Sequence, residues 1–135
     1  MTAPNGEIVE DIDAVDRIGT NMKRLTTAPG VDDAPAWSPL PGSNLIACHR
    51  LDPENGSDIW VMNADGSNAR NLTLDQPREL MRGDPEWSPD GQWIAFTQSR
   101  STSGPGRGSI WIMRGDGSDK RQVTLHPGNG FDLNP

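Results

Sequence analysis

Apolar residues along the chain fall into short runs of about four to six, each bracketed by Pro, Gly, Asn, Asp or Ser. The runs recur in a fixed order. One copy reads Pro85-Glu86-Trp87-Ser88-Pro89-Asp90-Gly91, Trp93-Ile94-Ala95-Phe96, Ser109-Ile110-Trp111-Ile112-Met113, Gly115-Asp116-Gly117-Ser118 and Arg121-Gln122-Val123-Thr124. Upstream the same order gives Pro35-Ala36-Trp37-Ser38-Pro39, Leu45-Ile46-Ala47-Cys48, Asp58-Ile59-Trp60-Val61-Met62, Ala64-Asp65-Gly66-Ser67 and Arg70-Asn71-Leu72-Thr73. The interval is 50 residues from Trp37 to Trp87 and 51 from Trp60 to Trp111, a tandem repeat. Each copy predicts four antiparallel strands, rich in Trp, Ile and Val, separated by turn formers. Asp65-Gly66 and Asp116-Gly117 predict two-residue hairpins with positive φ at both central positions. The second run is apolar without strict alternation, which predicts a strand covered on both faces.

Pro-x-Trp-Ser-Pro-Asp-Gly followed by Ile-Ala-Phe, Ile-Trp-x-Met, Asp-Gly-Ser and a closing Arg-x-(Leu/Val)-Thr resembles the TolB-like, WD-type β-propeller repeat. The resemblance covers residues 35 to 124. It departs at Leu40-Pro41-Gly42, in place of Asp-Gly, and at Cys48, in place of Phe. It implies an all-β fold, a partial β-propeller of four-stranded antiparallel blades. Further upstream, Asp11-Ile12-Asp13-Ala14-Val15-Asp16 lies over Asp58 to Asn63, and Lys23-Arg24-Leu25-Thr26 repeats the closing run. This stretch reads as the third and fourth strands of a degenerate half-blade, with Asp13 in place of Trp and Ile18 in place of the turn Asp.

The organisation that follows is a flexible leader plus half-blade over residues 1–34, a first blade with its connecting loop over 35–84, a second blade over 85–124, and a terminal loop over 125–135. About two and a half blades leave faces unpaired, because propellers close with roughly four to eight. The expectation is a ring completed by self-association, with a homo-oligomer, most simply a dimer, as the assembly and either two-fold or head-to-tail packing open. A fragment of a longer propeller is the alternative.

Composition narrows the partners. Fifteen Gly and twelve Pro in 135 residues favour a turn-dense β chain, and a formal charge of −7 argues against a nucleic-acid surface. No apolar run is long enough to span a bilayer, so no membrane partner is expected, and no signal sequence opens the chain. Taken literally that predicts a cytoplasmic protein; a piece of a TolB-like protein would be periplasmic. The single cysteine, Cys48, occupies a strand position and reads as a small core residue.

Candidate chemistry is sparse. Cys48 and His49 are neighbours on a strand and so point to opposite faces, while Ser38 and Ser88 of the Trp-Ser-Pro motifs read as turn hydrogen-bonders. The Asp-Gly-Ser turns lack the ligand pattern of a calcium loop, and no metal or cofactor is expected. The strongest candidates lie between blades: Asp32, Asp33, Arg82, Asp84 and Asp132, in loops that would gather at one mouth of a central channel and bind a ligand or partner. Trp37, Trp60, Trp87, Trp93 and Trp111 are the expected repeat core. A non-catalytic module for protein or peptide binding is the leading expectation, in line with the scaffold role the resemblance implies. A small-molecule or sugar-active enzyme with a carboxylate site at the channel mouth is the second.

Overall fold

The computed structural model describes residues 8–100 and 108–124. Every regular element among them is a strand, and the order follows the repeat. Strands β1 (Asp13–Ala14) and β2 (Lys23–Arg24) form a two-stranded sheet. Strands β3 (Val31–Trp37), β4 (Leu45–Asp52), β5 (Gly56–Asn63) and β6 (Arg70–Asn71) form a four-stranded meander, and β7 (Leu80–Trp87), β8 (Trp93–Arg100), β9 (Ser109–Arg114) and β10 (Arg121–Gln122) form a second. All neighbouring strands within the sheets are antiparallel. Each four-stranded meander has the form expected of one blade, and the two-stranded sheet pairs as the last two strands of a blade do.

Two boundaries differ from the sequence expectation. The first strands of the blades begin at Val31 and Leu80, ahead of Pro35 and Pro85, so residues 31–34 and 80–84 belong to strands and not to connecting loops. Both strands carry a register shift just before the proline, between Asp33 and Ala36 and between Gly83 and Glu86. At these bulges Ala34 and Asp84 hold left-handed φ values of 48° and 51°. Pattern reading missed the upstream halves because a bulge interrupts the alternation on which the reading rests.

The second difference is in the hairpins. Asn63, Ala64, Asp65 and Gly66 make a turn closed by Gly66 N donating to Asn63 O, while Asn63 N donates to Ser67 O. Only Gly66 of the Asp-Gly pair has positive φ, followed by Asn68 at 53°. The turn is therefore the longer kind, a turn followed by a left-handed residue, not the two-residue type. The same geometry recurs around Gly117 and around Gly19, whose φ values are 88° and 81°. Ile18 in place of Asp has not broken the half-blade turn, because Asp16 Oδ1 accepts from the Ile18 and Thr20 amides instead.

Face-to-face packing makes the core. One cluster joins the half-blade to the first blade through Ile12, Leu25, Ile46, Cys48 and Met62, with Ala14 and Trp60 against it. The other joins the two blades through Ala36, Ala47, Ile59, Val61, Leu72, Trp87, Ile94, Phe96 and Met113, with Leu45 and Trp111 against it. Thus Ile46 and Cys48 face backward along the chain and Ala47 faces forward, so β4 is covered on both sides, as its unbroken apolar run predicts. Trp60, Trp87 and Trp111 pack between blades. Trp37 does not: it is 57% exposed, because the half-blade lacks the first strand that would cover it.

Candidate functional site

Asp32, Asp33, Arg82 and Asp84 all lie on first strands, and the first strands of the two blades pack beside each other. Asp132 lies outside the described residues. Burial divides the four into two kinds. Asp32 and Arg82 are 2% and 3% exposed, whereas Asp33 and Asp84 reach solvent.

Each buried charge is paired. Arg50, from β4, grips Asp32 with Nε and Nη2 at 2.5 and 3.1 Å, and its guanidinium lies 4.4 Å from the centre of the Trp60 ring. Arg82, although on the equivalent strand position to Asp32 in the repeat, reverses the sign and reaches back into the first blade. Its Nη1 donates to Asp58 Oδ1 at 3.0 Å and its Nε to Gln98 at 3.1 Å, while Nη2 donates to the Pro77 carbonyl. Asp58 also accepts from Asn71 Nδ2 and Thr73 Oγ1. Burial pushes the Arg82 guanidinium toward the neutral form and Asp58 opposes it. A planar fork is suited to this role, since several acceptors are met by one side chain.

Beside that pair runs a chain of hydrogen bonds unforeseen from the sequence. His49 Nδ1 lies 2.7 Å from Asp33 Oδ1, and His49 Nε2 lies 2.9 Å from Ser57 Oγ. The order acid, imidazole, hydroxyl matches a nucleophile triad. Ser57 is nevertheless 2% exposed, and its Oγ is held by Arg82, donating to the main-chain O at 2.5 Å and accepting from N at 3.0 Å. With both main-chain groups of Arg82 on the hydroxyl, this serine is a blade-to-blade tie and not a nucleophile. Separation in sequence hid it: Ser57 and Arg82 are 25 residues apart.

Each of the exposed pair is held by a single side chain, Asp33 by His49 and Asp84 by Thr97. Asp84 accepts from Thr97 Oγ1 at 3.2 Å, and that hydroxyl also lies 3.1 Å from the Gly83 carbonyl. Its left-handed backbone costs an ordinary residue roughly 1–2 kcal/mol, less for Asp. Asp33 keeps 45% of its side chain exposed. Free carboxylate edges on adjoining first strands could accept hydrogen bonds from a polar ligand.

Elsewhere the side chains take the structural roles read from sequence. Ser88 Oγ donates to Asp90 and accepts from the Trp93 amide. Cys48 is buried, and that burial pushes its thiol up to about 12. Among the described residues, no group of three or more His, Cys, Asp or Glu is placed to hold a metal ion. Among the described residues no helix is long and apolar enough to cross a membrane.

Known proteins share this pattern. No family model matches the chain. It is 37% identical over 128 residues to the Tol-Pal system protein TolB of Anaeromyxobacter dehalogenans, covering 95% of this chain and 25% of that protein. It is also 35% identical over 88 residues to the uncharacterized protein Atu1656 of Agrobacterium fabrum, covering 65% of this chain and 27% of the relative. The chain therefore spans about a quarter of the length of these curated relatives. In structure it matches TolB from Acinetobacter baumannii with a TM-score of 0.65 at 22% identity, covering 84% of this chain and 26% of that one. An oligogalacturonate lyase in complex with manganese matches with a TM-score of 0.63 at 20% identity, covering 84% and 30%. Both matches show the fold alone: the strands of this chain stack as blades of a β-propeller.

Proposed function

We propose that this chain is a non-catalytic propeller module that binds a protein or peptide, working in a ring completed by further copies of itself. The observation that carries the reading is the fate of the buried polar groups. Asp58, Arg82 and Ser57 are spent on tying one blade to the next, and His49 bridges Asp33 and Ser57 within the first blade. Large apolar side chains are offered outward beside the polar ones: Trp37 at 57%, Ile110 at 38% and Val123 at 54% exposure. Exposed apolar faces of this kind mark interaction surfaces. Likeness to a Tol-Pal system protein over nearly the whole chain supports a scaffold role in the cell envelope and a periplasmic location over a cytoplasmic one.

A second reading is favoured by one observation, the two exposed carboxylates Asp33 and Asp84 on adjoining strands. They would be the acid or ligand groups of a sugar-active site. Calorimetric titration of the purified chain with isolated Tol-Pal proteins, run beside a turnover assay on oligogalacturonate, separates the two. Saturable protein binding without turnover is the expected result. Turnover abolished by Asp33→Ala and by Asp84→Ala at unchanged Tm would overturn it in favour of the enzyme.

A further inference from the structure

Both junctions inside the chain are built from the same three contacts. At the first, Leu25 of the half-blade clusters with Met62 of the first blade; at the second, Leu72 clusters with Met113. The turn glycine of the later blade rests on the main chain beside that leucine. A Cβ on Gly66 would stand 2.5 Å from Leu25 O, and one on Gly117 would stand 3.2 Å from Leu72 O. Finally, a cation on the closing strand of the earlier blade donates to a carbonyl in the same turn: Lys23 Nζ to Asp65 O at 2.9 Å, and Arg70 Nη2 to Gly115 O at 3.5 Å.

The chain carries one more member of each series, open at its two ends. On the outer face of the second blade, Val123 stands where Leu25 and Leu72 stand, and Arg121 stands where Lys23 and Arg70 stand. Val123 is 54% exposed, against 9% and 5% for the two leucines. On the free face of the half-blade, Val15 stands where Met62 and Met113 stand, 55% exposed against 1% and 0%. Gly19 makes the same turn, and a Cβ built on it meets nothing within 4 Å.

We infer that these two ends are halves of one interface: the outer face of the second blade docks on the half-blade of a second copy, head to tail. Val123 would meet the partner's Val15, the Val123 main chain would rest on the partner's Gly19, and Arg121 would reach a carbonyl of that turn. The sizes agree. The two exposed apolar residues Ile110 and Val123 of the outer face lie on or beside the third and fourth strands, and a half-blade has those two strands alone; Met81 of the first strand stays outside the contact. The first strand brings Glu86 where the inner junction has buried Ala36. Such a contact is heterologous, joining different patches of the two copies. The inference rests on the self-assembly reading above and fixes which surfaces meet.

Single-cysteine additions test it, because positions 15 and 123 are exposed and Cys48 is buried. The full-length chain is sized by light scattering, and Val15→Cys and Val123→Cys variants, matched to the parent by circular dichroism, are treated with a short bis-maleimide. The expected result is an oligomer in which neither variant cross-links by itself and the equimolar mixture does. Cross-linking of Val123→Cys with itself would show a two-fold contact and overturn the head-to-tail arrangement. An oligomer that cross-links in no combination overturns this interface and leaves self-assembly standing. A monomer at every concentration overturns both.

Discussion

The indole Nε1 of Trp87 donates 3.1 Å to the carbonyl oxygen of Ala36, a residue 51 positions earlier, and so joins the first strands of successive blades. Trp37 is the same residue of the repeat with no such acceptor, and Trp111 is half-buried with a buried Nε1 that has no hydrogen-bond partner. One side chain in three settings predicts different responses. Trp87→Phe should cost about 1–3 kcal/mol, since a buried carbonyl loses its donor, and Trp87→Ala about 3–5 kcal/mol. Trp111→Phe should stay within about 0.5 kcal/mol of the parent, because the indole N–H it removes is unpaired. Trp37→Phe should be equally mild. Urea midpoints measured side by side check the order, and an equal loss at Trp87 and Trp37 would contradict the proposed tie.

Ion pairs of graded burial predict graded costs. Arg82 and Asp58 keep 1% and 8% of their side chains exposed, whereas Arg24, paired with Asp11 and Asp13, keeps 47%. Arg82→Met leaves a buried carboxylate without its cation and should cost about 3–5 kcal/mol. Arg24→Met should leave the midpoint almost unmoved, as screened surface pairs do. The same denaturation series reads both.

Ser57→Ala should destabilise by about 1–3 kcal/mol, because both main-chain groups of Arg82 lose their partner inside the blade junction. A free nucleophile would behave otherwise, losing turnover at unchanged stability. Chemical denaturation and a broad esterase assay on the same variant discriminate the two roles.

Acid should loosen the turns first. Asp65, Asp116, Asp90 and Asp16 are each held below the usual carboxylate range, chiefly by the hydroxyls of Ser67, Ser118, Ser88 and Thr20. A depressed folded-state pKa gives stability that is complete above the unfolded value, about 3.9 for Asp, and is lost as pH falls through the folded value. Tm should therefore be flat above about pH 5 and decline below it. The double variant Asp65→Asn, Asp116→Asn should flatten that decline in a thermal series across pH.

Cys48 should resist thiol reagents in the native protein and react once unfolded, since burial both blocks access and suppresses the thiolate. Labelling that follows the unfolding transition is the expected result. Rapid labelling without denaturant would place the second strand of the first blade outside the core.

The repeat was legible because it is local. Trp-Ser-Pro, the apolar second run, the Asp-Gly-Ser turn and the closing Leu-Thr each sit within one strand or hairpin, and short-range rules of propensity and turn chemistry suffice to read them. Even the degenerate half-blade was recognisable, from Ile12 and Lys23-Arg24-Leu25-Thr26. The candidate residues were found, yet their roles were not. Asp32 and Arg82 occupy one repeat position with opposite charges, and only folding shows that the first pairs within its own blade and the second across to Asp58. Nor could sequence tie Ser57 to Arg82 or leave Trp37 bare. Strand identity follows from the alternation of neighbours along the chain, so the sequence alone determined the blades. What the buried charges, Ser57 and Trp87 face depends on residues up to 51 positions away, brought together by strand pairing and blade stacking, and only the tertiary structure decided that.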